Sequence, residues 1–472
     1  MDEEWRVARI VIIGGGPAGY EAALAGAAYG ADITLLDSDG IGGACVLWDC
    51  VPSKAFIATT GVRTEVGKAA ELGIGVGSEA SSVTVTDINQ RVKDLAFAQS
   101  ADIRARLSSE GVRIVNARGC LAGTDDTGAH EVTATFPDGA TETVVGDVVL
   151  IATGASPREL PDATPDGDRI LTWRQLYDLE VLPDHLVVVG SGVTGAEFVH
   201  AYTELGVRVT LVSSRDRVLP HEDEDAARVL EEAFAERGVT LIKHARADRV
   251  SRTDEGVVVE LADGKTVEGS HVLMTVGSLP NTGDLGLEEA GVAVDRNGYI
   301  TVDRVSRTSV SGIYAAGDCT GVLLLASVAA MQGRIAMYHS LGEGVSPIRL
   351  KTVAASIFTS PEIAAVGVSQ SAIDRGEYPA RTVMLPLSTN PRAKMSGVRR
   401  GFVKIFCRPA TGVVIGGVIV SPNASELILP IALAVENKLQ VSDLANTFSV
   451  YPSLSGSITE AARQLVRHDD LD

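Results

Sequence analysis

Two of the five cysteines in this 472-residue chain, Cys45 and Cys50, are separated by only four residues. Thiols at that spacing can close a disulfide if a loop or helical turn brings their β-carbons together, which would favour redox chemistry. The pair could also be half of a zinc site, or two buried apolar thiols. Cys120, Cys319 and Cys407 stand singly, with no Cys or His pair at ligand spacing nearby, which argues against a metal. The thiols sit in a longer run, Gly42-Gly43-Ala44-Cys45-Val46-Leu47-Trp48-Asp49-Cys50-Val51-Pro52-Ser53-Lys54. Asp49 adjoins Cys50, where a carboxylate disfavours a thiolate unless it points to solvent.

The residues before this run read as a dinucleotide fold. Arg9–Ile13 is a strand, Gly14-Gly15-Gly16-Pro17-Ala18-Gly19 a turn, the alanine-rich stretch to about Tyr29 a helix, and Asp32–Leu36 a strand ending at Asp37. In this spacing Gly14 makes the tight turn, Gly16 admits a pyrophosphate to the backbone and Gly19 lets helix and strand pack. The helix N-terminus offers N–H groups to phosphates, and Asp37 stands where a ribose hydroxyl needs an acceptor. A glycine-rich turn without a ligand is the alternative; strand, helix and acid in register argue against it. After the cysteines, helices are expected at about 53–71 and 87–110, with Ile88, Val92, Leu95, Ile103 and Leu107 forming a core stripe. Short strands follow over 112–151, with a hairpin at Asp138-Gly139, and the run from Val148 ends in Thr153-Gly154.

The same grammar then repeats. Leu186–Val189 leads into Gly190-Ser191-Gly192-Val193-Thr194-Gly195, a helix to about Leu205 and a strand Arg208–Val212. Two dinucleotide folds suggest two dinucleotides set against each other, as hydride transfer between a nicotinamide and a flavin requires. Where an NAD site would place an acid after the second strand, this chain has Ser213-Ser214-Arg215, with Arg217 following. Serines and an arginine could accept a 2′-phosphate that a carboxylate would repel, which predicts NADPH, with NADH tolerated. Arg215 and Arg217 could equally be solvated surface charges.

Taken together, the cysteine run and its flanks resemble the flavoprotein disulfide reductases, among them lipoamide dehydrogenase, glutathione reductase and mercuric reductase. The resemblance spans nearly the whole chain and is closest to the actinobacterial lipoamide-dehydrogenase-like NAD(P)H:quinone reductases. It implies FAD and NADP or NAD as cofactors, with Gly43, Ala44, Thr153, Gly154 and Gly277 in cofactor contact. Gly277-Ser278-Leu279-Pro280-Asn281 is similar to the family's G-R-x-P-N, with Ser278 for the arginine. Ile313-Tyr314-Ala315-Ala316-Gly317-Asp318 resembles the second flavin motif, so Asp318 would accept from the ribityl chain. Leu325 and Ala326 would open a helix, reaching Arg334, whose N-terminus faces the flavin. Cys50 would face the flavin, Cys45 would exchange with substrate, and Lys54 would lie near flavin N5 paired with Glu197. The implied fold is α/β: two Rossmann-like dinucleotide-binding domains plus an α+β C-terminal dimerisation domain. Its limits are 1–155 and 280–350 for the FAD part, 156–279 for NAD(P), and 351–472 for the interface of a homodimer.

One family element is replaced. The C-terminal motif H-P-T-x-S-E, which supplies the acid–base His and its Glu, reads Tyr451-Pro452-Ser453-Leu454-Ser455-Gly456 here. A phenol with a reference pKa of about 10 is a poor base at neutral pH, and glycine orients nothing. General acid–base assistance is worth ~10²- to 10⁴-fold in rate, so disulfide turnover should be slow. NAD(P)H reduction of FAD and direct release to a quinone need no thiol, and that is the expected activity. A disulfide reductase with an unrecognised base, and a pyridine nucleotide transhydrogenase, are the rival enzymes; a redox sensor with little turnover is the rival of another class.

Composition is compatible with this. With 61 acidic against 41 basic residues the net charge is −20, which disfavours nucleic acid and anionic membranes. The N-terminus is acidic, without a secretory signal, and no apolar run is long enough to span a bilayer. Few and odd-numbered cysteines fit a reducing cytoplasm.

Overall fold

The computed structural model describes residues 7–75, 77 and 82–466. Its first sheet has five parallel strands in the order Ile313–Ala315, Val148–Ile151, Arg9–Ile13, Asp32–Leu36, Arg113–Val115. Parallel strands are covered on both faces and therefore read as unbroken apolar runs; Ile10–Ile13 and Val148–Ile151 are buried throughout. Helix α1 (Pro17–Ala28) starts on a proline, whose fixed φ and missing N–H suit a first turn. Its alanines and glycines keep the profile low enough for close packing on the sheet.

The cysteines fall on two helices, α2 (Gly43–Leu47) and α3 (Cys50–Lys68), and α3 continues as a 3₁₀ turn over Ala69–Leu72. Helix α4 (Val85–Ser109) packs beside them. Val92, Ile103 and Leu107 are buried as expected, but Leu95 is 41% exposed. The inward face follows Val85, Asn89, Val92 and Ala96, so the helical period places Ala96 inside and turns Leu95 out.

The second five-stranded parallel sheet runs Thr240–Ile242, Arg208–Val212, His185–Val189, His271–Met274, Ile170–Leu171. Helix α5 (Val193–Glu204) leaves the second fingerprint, and α6 (Glu224–Glu236) follows, with Asp223 capping it by accepting from Asp225 N and Ala226 N. Helix α7 (Ala326–Ser340) then returns to the first sheet and meets α1 backbone to backbone: a Cβ on Gly333 would lie 2.1 Å from Ala18 O.

The C-terminal part is a five-stranded antiparallel sheet in the order Ala354–Ile357, Glu362–Gly367, Val414–Ser421, Phe402–Cys407, Arg381–Pro386, with helices against it. Lys404, 2% exposed on the fourth of these strands, reaches Asp223 Oδ2 at 2.8 Å and Asp225 Oδ2 at 2.7 Å. One buried cation thus ties this sheet to the start of α6.

Candidate functional site

The two fingerprints are built on the same contacts. Gly14 (φ +106°) and Gly190 (φ +114°) adopt left-handed backbone, and a Cβ on either would lie 2.3 Å from Ala152 O or Thr275 O respectively. A Cβ on Gly19 would sit 1.8 Å from Gly14 O, and one on Gly195 2.0 Å from Gly190 O. Protein packing therefore fixes the first and third glycines. The middle ones are different: a Cβ on Gly16 would meet only Gly43 Cα at 4.0 Å, and one on Gly192 nothing within 4 Å. Packing within the protein therefore leaves open space at both middle glycines.

Gly14, Gly16, Pro17, Ala18, Asp37, Gly43, Ala44, Cys45, Cys50, Thr153, Gly154, Gly317, Asp318 and Ala326 line one cleft of about 580 Å³. Of the second fingerprint Thr194 lines it too, whereas Gly190, Gly192, Val193 and Gly195 do not. The Asp37 carboxylate accepts from the N–H groups of Gly15, Asp39 and Gly40, leaving about one of its four acceptor positions for a ribose. The Asp318 carboxylate receives no hydrogen bond among the described residues; burial, then the charge of Asp49, pushes it up to about 6. A free acceptor in the wall, the N-termini of α1 and α7 and the open space at Gly16 together fit a bound dinucleotide. Leu325 is the residue before α7, with Leu324 and Ala326 on either side facing the cleft.

The turn between the thiols is set by Ala44 O, which accepts from both Trp48 N (2.9 Å) and Asp49 N (2.7 Å) and folds Cys50 back towards Cys45. Interaction with the Cys45 side chain, then burial, then the charge of Asp49, holds Cys50 far above the usual thiol range. One turn further, Lys54 Nζ lies 2.8 Å from Glu197 Oε2, and Glu197 Oε1 accepts from Phe358 N at 3.0 Å. Burial works against the Lys54 charge, but Glu197 and Cys50 more than offset it and raise the ammonium above its ordinary value.

The second fingerprint's far strand ends differently from expectation. Ser213 is buried, and its hydroxyl pairs with Ser191 Oγ at 2.7 Å and accepts from Arg215 N at 3.1 Å. Its hydroxyl is thus engaged within the protein, whereas Ser214 and Arg215 are exposed. Bonds from Ala245 N to Ser213 O (2.8 Å) and His244 N to Arg215 O (3.0 Å) bring exposed His244 and Arg246 alongside. Gly277 (φ +100°) lies at the end of this unit, its carbonyl accepting from Arg158 N at 2.9 Å. Tyr451 is 82% exposed and outside the cleft of its own chain.

Three residues in the wall or behind it carried little or no signal in sequence. Asn281 exchanges bonds with Thr153, receiving Thr153 Oγ1 at 2.6 Å and donating Nδ2 to Thr153 O at 2.9 Å. Gln332 accepts from Gly317 N at 2.9 Å. Arg174 pairs with Asp39 at 2.8 Å and lies 5.8 Å from the ring centroids of Trp48 and Trp173. Asn281 belongs to the G-S-L-P-N run, which gave a hint; the others join the site only through the fold.

The pyridine nucleotide-disulphide oxidoreductase domain matches residues 8–333, and the dimerisation domain of the same proteins matches 353–462. The chain belongs to the pyridine nucleotide-disulphide oxidoreductase family. A relative from Mycobacterium tuberculosis named NAD(P)H dehydrogenase (quinone) is 66% identical over 470 residues, covering 99% of this chain and 95% of its own. A dihydrolipoyl dehydrogenase of Chlorobaculum tepidum is 32% identical, covering 96% of each. The crystal structure of LpdA from Mycobacterium tuberculosis superimposes with a TM-score of 0.94 at 66% identity, covering 98% of this chain and 100% of that one. This oxidoreductase is therefore an enzyme whose family implies FAD and a pyridine nucleotide. Among the described residues no histidine lines its cleft, and no helix is long and apolar enough to cross a membrane.

Proposed function

We propose that the enzyme passes electrons from NAD(P)H, with NADPH preferred, through FAD to a quinone. The observation that carries this reading is a thiol-bearing cleft lined by the first fingerprint and by Thr194 of the second, in a chain that has Tyr451 and Gly456 at the positions of the family's His and Glu. The 66% identity to a relative named NAD(P)H dehydrogenase (quinone) supports it. When bound, FAD supplies a ring that takes two electrons from the nicotinamide and gives them up again. Gly14–Ala18 and the α1 N-terminus would seat its pyrophosphate, Asp37 its ribose, and Asp318 with α7 the ribityl and ring. Gly190, Gly192 and Val193–Gly195 would seat the NAD(P)H pyrophosphate, with Ser214 and Arg215 at the 2′-phosphate and Ser213 as the brace behind them. Lys54, held by Glu197, keeps a positive charge at the cofactor, where negative charge develops on reduction.

The dimer and the domain limits are part of the same proposal. Among the described residues Phe448 (103%), Val450 (77%) and Tyr451 (82%) are the most exposed large apolar side chains, and they lie in the dimerisation domain. A second copy is the natural cover for them. The limits 1–155 with 280–350, 156–279 and 351–472 are supported by membership of the three five-stranded sheets. A cytoplasmic location accords with the cysteine usage.

The test is NADPH oxidation by the yellow holoenzyme with a soluble benzoquinone, set against lipoamide and glutathione disulfide. Fast quinone turnover with negligible disulfide turnover is expected. Fast disulfide turnover would replace this reading with a disulfide reductase, which the proximity of Cys45 and Cys50 favours as the second choice. NADPH-to-NAD-analogue transfer as the fastest reaction would indicate transhydrogenation.

A further inference from the structure

The carboxylate next to Cys50 has nothing to hold it. Asp49 lines the cleft with Cys45 and Cys50, and it precedes the first residue of α3 without making a capping hydrogen bond. Among the described residues no donor reaches its side chain. Burial lifts its carboxyl above the usual range, Lys54 acts against that rise and Glu197 adds to it. The side chain is half-buried with its oxygens open to the cleft, so it stands in the wall that carries both thiols without a hydrogen bond that would neutralise its charge.

The charges around Cys50 are unevenly matched. Cys45 faces it from α2, Tyr20 from α1, Lys54 from α3, Asp49 from the residue before α3 and the Tyr177 hydroxyl from the turn Leu176–Asp178, while Glu197 of α5 faces Lys54 and Asp49, and Asp318 faces Asp49. Lys54 is the single cation of this group, and it is already bonded to Glu197 at 2.8 Å. A negative charge on Cys50 must therefore compete with two carboxylates for one ammonium.

We propose that Asp49 is a specificity-determining residue: it denies Cys50 the thiolate form and so directs electrons from the reduced cofactor to an acceptor in the cleft instead of out through Cys45. The inference rests on the quinone reading above. Reduction of the Cys45–Cys50 disulfide takes two electrons and two protons and gives two thiols. To reduce a second disulfide, Cys45 must lose its proton and attack, releasing one substrate thiolate that takes up that proton. Cys50 must then lose its own proton and attack Cys45, reforming the ring disulfide and releasing the second thiol. With Cys50 held protonated the chain stalls at the mixed disulfide. A quinone that takes two electrons and two protons bypasses both steps.

The experiment uses FAD-loaded enzyme in a Cys45→Ser background, so that Cys50 is the lone thiol beside oxidised flavin. Its ionisation is followed by pH titration of the long-wavelength thiolate–flavin absorbance and, independently, by the pH dependence of its alkylation by iodoacetamide. Adding Asp49→Asn should lower the midpoint by about 1 pH unit, or ~10-fold more thiolate at fixed pH; Asp49→Glu should leave it high. Equal midpoints with and without the carboxylate would overturn the proposal. With both cysteines present, Asp49→Asn should raise NADPH-driven turnover of glutathione disulfide or lipoamide relative to quinone by ~10-fold; an unchanged ratio would overturn the acceptor-selecting role. A midpoint shift in an enzyme that has no quinone turnover supports control of Cys50 by Asp49 and overturns the quinone reading alone.

Discussion

Lys54 and Glu197, 143 residues apart, meet at 2.8 Å and join the helix of the cysteine segment to the helix of the second fingerprint. The same carboxylate accepts Phe358 N, so one buried group connects three parts of the chain.

Removing that group should be felt in stability. Glu197→Ala leaves a half-buried ammonium with only Ser53 Oγ at 3.2 Å and the Phe358 ring, and the Phe358 N–H without its acceptor, and is expected to cost about 3 kcal/mol at pH 7. The Lys54 pKa is raised by folding, so its contribution is complete below the ordinary lysine value of about 10.4 and lost as pH rises through the folded value. Urea unfolding of both proteins should show a constant gap through neutral pH that closes in the alkaline range. A gap that instead widens with rising pH would contradict the pairing.

The glycines separate ligand from fold. Gly19→Ala pushes a methyl into Gly14 O and should destabilise by about 3 kcal/mol whether or not flavin is present. Gly16→Ala meets open space, so thermal unfolding of the flavin-stripped chain should change by less than about 1 kcal/mol. Its flavin content after purification should nevertheless fall sharply. Full flavin retention in Gly16→Ala would mean that the pyrophosphate lies elsewhere.

Coenzyme preference should follow Arg215. Its side chain is exposed at the end of the strand Arg208–Val212, and Arg215→Glu is expected to raise KM for NADPH ~10-fold while leaving NADH little changed. Steady-state kinetics with both coenzymes decides it; parallel changes would assign the arginine to solvent.

The sequence discloses those parts of the site whose geometry is local. A fingerprint is a turn, a helix start and a strand end within about one helical span, and both came out with the expected glycine contacts. The Lys54–Glu197 pair was foreseen only because each residue sits in a motif. Ser213 shows the limit: a hydroxyl finds its partner in three dimensions, and its place in the motif says nothing of the bond to Ser191. Leu95 shows another, since a stripe read by eye tolerates an error of one position and a helix face does not. Phe358 and Gln332 act through a backbone N–H and an amide whose targets lie on other elements, and no spacing in the chain announces them.

The first sheet is closed by its edge strand Ile313–Ala315, which follows the entire second nucleotide unit in sequence. During synthesis the strand Val148–Ile151 must therefore wait, its outer edge unpaired, while the second sheet is made and can fold around its own core. A fragment ending near residue 155 would carry that open edge permanently and be a template for self-association. For this protein the smallest piece that can complete its own flavin-binding half extends through α7, and the nucleotide unit between is a passenger that finishes first.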